Sequence, residues 1–425
     1  MTTATADAPA PMTAAQEWRA HWPKVLSGMI GMSFYAMVNY SFGQFIQPIE
    51  NEFHWSRADI SLGITIFNII PVFVGPFVGV LIDRYGGRRI GLPGMVLAAM
   101  AFGALSLADG SITQWSLLWF QLSIFALAIK TTVWSLAISR LFTAGRGLAL
   151  SVMLCGSAVA QGAAQIVANT LIEQVGWRGA YQGIALGWGG LAILLVALFF
   201  HDAPARTNSA GQSTQSSANL PGLTIPQAIR NRQVLRIAAS NLMIAIIGGG
   251  ITVHMMPILT QTGLDRSSAA QIAALSGVAG IVGKIFTGWL LDRYKSDAIP
   301  FFGQIGSVNG YAMLLNLFHA KIALVIGMLM TGFSSGAQMQ VTAYFITRYA
   351  GLKNFGKIYA TIGSMLMLGA SIGPWIAGTI YDTTGSYQAL LMTAIPAALI
   401  GVVLMLGLYL ATWIWLRDTA QGRHI

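Results

Sequence analysis

Along the chain, apolar residues come in long runs rather than in the one-sided stripes of soluble helices. Runs bounded by charged or Gly/Pro turns fall at 25–49, 60–82, 90–108, 114–139, 147–171, 179–200, 234–257, 268–291, 298–318, 322–347, 356–381 and 387–415. A helix needs about 20 apolar residues to cross a bilayer, so the pattern predicts twelve spans. The longest polar stretch, "HDAPARTNSAGQSTQSSANLPGLTIPQ" (201–227), is rich in Ser, Ala, Pro and Gln and reads as a flexible linker. It divides the spans six and six. The predicted organisation is an N-terminal tail (1–24), a six-helix bundle (25–200), a linker (201–233), a second six-helix bundle (234–415) and a C-terminal tail (416–425).

Composition agrees with that pattern. The 425 residues are 55% hydrophobic and 9% charged, against about 25% charged in a soluble domain. The opening "MTTATADAPAPMTAAQEWRAHWPK" lacks the basic start and short apolar core of a signal peptide and reads as a disordered tail. Cys155 is the one cysteine, so no internal disulfide can form. The six histidines are scattered, without a metal-ligand or nucleophile constellation, and the expectation is neither an enzyme nor a cofactor protein.

The net charge of +10 is explained by topology rather than by nucleic acid. With both termini on one side, 18 of the 24 Lys and Arg fall on that side, 4 fall on the other (Arg57, Arg178, Arg266, Lys321) and 2 lie within spans. Basic residues mark cytoplasmic loops, which predicts cytoplasmic termini and linker, a cell or inner-membrane location, and contact of the basic loops with anionic lipid.

The halves repeat at an offset of 209. Pro48 matches Pro257, Arg57 matches Arg266, Gly147 matches Gly356 and Gly176 matches Gly385. "GVLIDRY" at 79–85 matches "GWLLDRY" at 288–294. The fold class expected is therefore an all-α membrane protein of twelve transmembrane helices in two pseudo-symmetric six-helix bundles. Repeated bundles of spans are typical of secondary transporters, whose site lies near the midplane between the repeats.

"GVLIDRYGGRRI" (79–90) resembles the loop 2–3 signature of the major facilitator superfamily, and "GWLLDRYKS" its weaker copy between spans eight and nine. The resemblance implies a gate at the cytoplasmic mouth. Asp83 would face the start of span eleven near Gly356, and Asp292 the start of span five near Gly147, each favoured by the positive end of the helix dipole. Arg84, Arg88, Arg89 and Arg293 would pair with nearby acids or lipid phosphate.

None of the 14 acids falls in the middle of a span, yet Lys130 and Lys284 do. An ionisable group in hydrocarbon costs roughly 2.5–3.5 kcal/mol or more and is by default functional. Cations without counter-ions suit an anion carrier, which makes both lysines candidate substrate ligands. His254, one turn after Gly248–Gly250, is a further candidate as a substrate or proton group, and the triple glycine predicts a bend there. Tyr35 and Asn39 in span one, Gln161 and Gln165 in span five, and Gln338 in span ten are candidates for the cavity wall or for interhelical hydrogen bonds.

The segments "EFHWSRADIS" (52–61), "HMMPILTQTGLDRSSAAQIAALSGVAGIVGKIFTGWLLDRY" (254–294) and "RYAGLKNFGKIYATIGSMLMLGASIGPWIAGTIYDTTGSYQ" (348–388) resemble the oxalate/formate-antiporter and monocarboxylate-transporter branch. That branch commonly carries a carboxylate-binding arginine in span eight. Lys284 stands at that position here, a point charge in place of a bidentate fork. The resemblance implies a secondary active transporter of a small organic anion, a mono- or dicarboxylate, coupled by proton symport or anion exchange; the many Tyr and Trp extend the expectation to an aromatic acid, and one twelve-helix unit should suffice as a monomer. The competing reading is an exporter of hydrophobic compounds or drugs. Against it, span five, "CGSAVAQGAAQIVA", lacks the proline of the drug-exporter signature. A transporter-like sensor is a third class, disfavoured by the short linker and tails.

Overall fold

The computed structural model describes residues 13–142, 144–200, 222–294, 298–317, 319–351 and 353–420, and these are almost wholly helical. The helices of the first half are α1 (Ala14–Phe53), α2 (Arg57–Tyr85), α3 (Gly87–Ala104), α4 (Ile112–Ala126), α5 (Thr131–Leu141), α6 (Arg146–Ile184) and α7 (Gly190–Phe199). Those of the second half are α8 (Ile225–Arg230), α9 (Arg232–Val253), α10 (Met255–Gln261), α11 (Arg266–Tyr294), α12 (Ala298–Leu314), α13 (Lys321–Ala350), α14 (Phe355–Thr384) and α15 (Tyr387–Ala420). The protein is an all-α membrane protein. Among the described residues, nine helices are long and apolar enough to cross a bilayer. Each predicted run falls mainly on helix, and the fifth and sixth share α6.

The helix ends follow local chemistry. Ser56 caps α2 by accepting from the Asp59 N–H, Ser111 caps α4 through Gln114, and Asn231 caps α9 through Gln233 and Val234. Gly176, at φ 71°, interrupts α6 between the fifth and sixth predicted runs.

Two interruptions lie inside predicted spans. A short 3₁₀ turn, Leu127–Ile129, ends α4, and Lys130 is extended (φ −66°, ψ 159°) before α5 begins. The Ile129 carbonyl accepts instead from the buried Trp134 indole at 2.8 Å. The seventh span breaks at His254, not at Gly248–Gly250 as expected. Pro257 has no N–H for the Val253 carbonyl, and its ring crowds that oxygen. The freed carbonyl faces Gly43 of α1, where any Cβ would collide with it. Gly249 and Gly250 instead let α9 lie close against Ala370 and Gly373 of α14.

Helix and packing contacts reach into both the expected tail and the expected linker. Residues 14–24, expected in a disordered tail, extend α1 inward. A capping box joins Thr13 and Gln16. The buried Glu17 carboxylate accepts from the Ala144 and Gly145 N–H groups at 3.2 and 2.8 Å, and Trp18 packs edge-on against Phe142. Residues 222–231, the end of the expected linker, are likewise docked. The Leu223 N–H donates to the Ala350 carbonyl, and Asn354 donates to the Leu223 carbonyl. Residues 1–12 and 201–221 lie outside the described residues.

An aromatic-rich core holds the first half, with Phe45 stacked on Tyr181 at 3.9 Å and Trp119 edge-on to Phe42. The second half has two smaller cores and relies on glycine-lined seams. Along α11 and α13, a Cβ at Gly283, Gly332 or Gly336 would run into a carbonyl of the facing helix. Small residues give transmembrane helices this close approach. Gly336→Val is therefore expected to destabilise the bundle by about 1–3 kcal/mol or more. Gly363→Ala, in open space, is expected to leave the thermal midpoint of the detergent-solubilised protein unchanged. Equal midpoints for the two variants would contradict the seam.

Candidate functional site

One end of the helix array carries the start of α1, the start of α8 and the helix ends near 86, 142, 145 and 351; this is the linker face. The opposite face carries the turns near 54–56, 108–111, 262–265 and 385–386. The two halves meet along three seams, and the contacts named here cluster from mid-depth toward the opposite face. Between α6 and α11, Gly277 sits against Gly162 and the Ala158 carbonyl, and Gln161 donates to Ser276 Oγ at 3.3 Å. Between α1 and the second half, Gly43 meets the Val253 carbonyl, while Arg266 donates to Gln47 Oε1 and the Gln44 carbonyl. Between α2 and α14, Gly378 sits on the first residues of α2.

The two lysines lie at the lower margin of these seams. Lys284 on α11 donates to Ser157 Oγ of α6 at 3.1 Å. Lys130 of the first half points to Met367 Sδ of α14 at 3.4 Å. Ser157 is about 16 Å along α6 from Arg146, and Met367 about 18 Å along α14 from Phe355, at 1.5 Å per residue. Both are near the middle of a hydrocarbon core about 30 Å thick. Ser157 and Met367 also differ by 210 in sequence, one residue from the repeat offset. Each half thus sends one ammonium across to the same level of the other. Both lysines are only partly buried, and among the described residues neither meets a carboxylate.

The remaining candidates separate by geometry. Tyr35 and Asn39 are half-buried on α1; Tyr35 packs on Phe67, and Asn39 Oδ1 accepts from Asn68 at 2.8 Å. Gln161 belongs to the α6–α11 seam. Gln165 is tied within the first half, accepting from Gln44 and donating to the Tyr40 carbonyl. Gln338 is tied within the second half, donating to Asn241 Oδ1 at 2.6 Å and accepting from Gln304. His254 is fully buried between Tyr387 Oη at Nδ1 (2.7 Å) and both the Pro374 carbonyl and Ser61 Oγ at Nε2 (3.0 and 3.2 Å). Both ring nitrogens are engaged, at the α2–α14 seam rather than beside the lysines.

At the linker face, Arg88 donates to the Ala197 carbonyl at 2.8 Å. Arg84 and Arg293 each lie over a neighbouring tyrosine ring, and Arg89 is exposed. The helix backbone runs through Asp83 and Asp292, whose side chains lie outside the described residues. Their expected receptors, Gly147 and Gly356, have open space around them. Ser157, Met367, Ser276, Asn68 and Glu17 were not singled out from sequence, since single polar or thioether residues in a helix carry no periodic signal.

Comparison with known proteins agrees with this architecture. The family model described as Major Facilitator Superfamily matches residues 28–321. Monocarboxylate transporter 13 of Rattus norvegicus is 26% identical over 380 residues, covering 88% of this chain and 85% of that one. Monocarboxylate transporter 11 of Homo sapiens is 23% identical, covering 78% and 71%. An uncharacterized MFS-type transporter of Bacillus subtilis, YcxA, is 21% identical, covering 85% and 88%. Among solved structures, the nucleoside transporter NupG superposes with a TM-score of 0.73 at 12% identity, covering 92% of this chain and 99% of that one. A bacterial homolog of the human lysosomal transporter Spinster, inward-facing and unoccupied, gives 0.69 at 15%, covering 95% and 98%.

The geometry separates a packing role from a cavity role. Gln165→Leu strands Gln44 and the Tyr40 carbonyl, and Gln338→Leu strands Asn241 and Gln304. Each is expected to lower stability by about 1–3 kcal/mol, read as a fall in thermal midpoint, with an unchanged KM for whatever the protein carries. A raised KM at unchanged stability would put either amide in the cavity.

Proposed function

The chain belongs to the Major Facilitator Superfamily, and from that premise we propose that it carries a small organic anion, a mono- or dicarboxylate, across the membrane by alternating access. One observation carries this reading: two ammonium groups from opposite halves reach the same mid-membrane level, and among the described residues neither meets a carboxylate. Transfer of an ion from water to a low-dielectric interior is costly unless it is paired. A substrate carboxylate supplies the missing charge to Lys284. A second carboxylate, or the aromatic body of the substrate beside Met367 and Tyr35, engages the Lys130 side. The names of the relatives, monocarboxylate transporters, support the same substrate class.

Neutralisation also links binding to the conformational step. An empty site with two uncompensated cations resists occlusion; a bound anion lowers that barrier, which favours movement of the loaded carrier. The linker face is the cytoplasmic one in this reading, as the excess of basic residues there requires. With His254 walled into the α2–α14 seam, a coupling proton travels with the substrate or on a lysine, or is replaced by a counter-anion. The carrier works as a monomer, since one pair of bundles holds the complete site, and the gating role of Asp83 and Asp292 at the cytoplasmic mouth remains part of the proposal.

The test is uptake of a panel of labelled mono- and dicarboxylates into proteoliposomes, with and without a pH gradient. Lys284→Ala is expected to lower uptake about a hundredfold, as for loss of one partner of a buried charge pair, with partial recovery in Lys284→Arg. Lys130→Ala is expected to raise KM more for dicarboxylates than for monocarboxylates. Stimulation by an inward proton gradient indicates symport, and stimulation by internal unlabelled anion indicates exchange. Normal carboxylate uptake by Lys284→Ala would refute the cationic site. Failure of every carboxylate would turn attention to export of hydrophobic compounds.

A further inference from the structure

We propose that Asp382 and the first turn of α2 form the latch that closes the face opposite the linker. This inference rests on the two-bundle carrier architecture and not on the identity of the substrate. The Asp382 carboxylate, at the end of α14, accepts from the Arg57 N–H at 2.9 Å and from the Ala58 N–H at 2.8 Å. These N–H groups begin α2, where the helix leaves donors unsatisfied and the dipole is positive. Ser56 takes the Asp59 N–H, so the cap within α2 and the latch from the other half use different donors.

The bond is embedded in a layer that also crosses between the halves. Arg57 is held in its own half by a bidentate pairing with Glu50, at 2.8 Å to Oε2. Its guanidinium lies 3.7 Å from the centroid of the Tyr381 ring and donates to Tyr387 Oη at 2.9 Å. Tyr387 in turn meets His254 Nδ1, and His254 Nε2 reaches Ser61 of α2. Gly378 leaves no room for a side chain against Arg57 and Ala58, which permits this approach. Glu50, Arg57, Ala58 and Ser61 belong to the first half, whereas Gly378, Tyr381, Asp382, Tyr387 and His254 belong to the second. Separation of the halves at this face must break the contacts that span them.

The repeat supplies an independent argument. The offset that relates Arg57 to Arg266 also relates Asp382 to Glu173. Glu173, which accepts from Asn169 of its own half at 2.8 Å, is the acid whose negative charge offsets the desolvation of Arg266 at the start of α11. Arg266 in turn crosses to Gln44 and Gln47 of α1. An acid at the end of the fifth span of each half therefore lies near the start of the second span of the other. On the Asp382 side the carboxylate is seated on two N–H groups, which makes that side the stronger lock.

Cysteine accessibility tests the latch without any substrate. In a Cys155→Ser background, Ala274→Cys places a thiol on the separate α6–α11 seam, at a residue 9% exposed in this closed arrangement. Its labelling by a membrane-impermeant maleimide, added from the side opposite the linker, reports opening of that whole face. Asp382→Ala and Asp382→Asn are expected to speed labelling about tenfold, as for loss of charge-assisted hydrogen bonds. Asp109→Asn removes an acid from a loop of the same face, where it accepts from the Ser111 N–H of its own half, and is expected to label at the parent rate. A thermal midpoint measured on each variant separates opening from unfolding. Parent-rate labelling in both Asp382 variants would overturn the latch, as would an equal increase in Asp109→Asn. Neither result would bear on the lysine site, which is read by uptake alone.

Discussion

Charge in a medium that cannot solvate it is the constraint from which the rest of the architecture follows. With the chain only 9% charged, each ionised group within the helix array needs a defined environment. Arg57 has a carboxylate, an aromatic face and a hydroxyl. Arg266 has an amide and a carbonyl from the other half. Lys284 and Lys130 have a hydroxyl and a thioether. The first two arrangements are suited to holding helices together. The second two leave net positive charge at mid-depth, which is stable in a fixed structure only when water or an anion can reach it. The same physics therefore builds joints at one level of the molecule and, in the function proposed above, an anion site at another.

The repeat explains why these levels coexist. Each half places a cation at the same depth and an arginine at the start of its second span. Rotating one half against the other moves both pairs together, so a change at the latch is also a change in the wall around the lysines. The seams that bring the halves together are lined with small residues, Gly43, Gly162, Gly277 and Gly378, which let backbones touch. Contacts of that kind are either made or broken; they tolerate little intermediate displacement. The aromatic core of the first half and the glycine seams within the second hold each bundle together independently of the interface between them.

Sequence carried the large-scale features because they are periodic or repeated. Long apolar runs, the basic side and the 209-residue offset each involve many residues, so local exceptions do not blur them. The mid-span lysines were legible for the opposite reason, as isolated exceptions to an apolar background. What the sequence concealed depended on which residues meet. For His254 the sequence left a packing role and a proton or substrate role open, and the partners at both nitrogens, Tyr387, Pro374 and Ser61, come from distant parts of the chain. Gln165 and Gln338 look alike in sequence to a cavity-lining amide, and only their partners distinguish them. The bend assigned to three glycines belongs to Pro257, whose effect falls four residues upstream, at a carbonyl. Glu17 was counted with a disordered tail because nothing in the sequence announces that Ala144 and Gly145 lie beside it.

Glu17 also breaks the symmetry of the linker face in a way that matters for gating. The two helix starts there, of α6 and α14, are equivalent by the repeat and would receive a carboxylate on equal terms in a symmetric carrier. They are not equivalent here. Glu17 already sits on the Ala144 and Gly145 N–H groups at the start of α6, supplying negative charge where the helix dipole is positive. The start of α14 has Asn354 as its cap residue with no side-chain capping bond and no acid in its first turn. A carboxylate arriving at α14 meets an uncompensated dipole; one arriving at α6 meets a like charge in place. Under the proposed gating by Asp83 and Asp292, closing the linker face consequently draws more from the α14 side. The opposite face is also weighted toward α14, through Asp382 at its other end. One helix, α14, thus presents an open positive end at one face and a latching acid at the other, with Met367 beside the Lys130 ammonium between them.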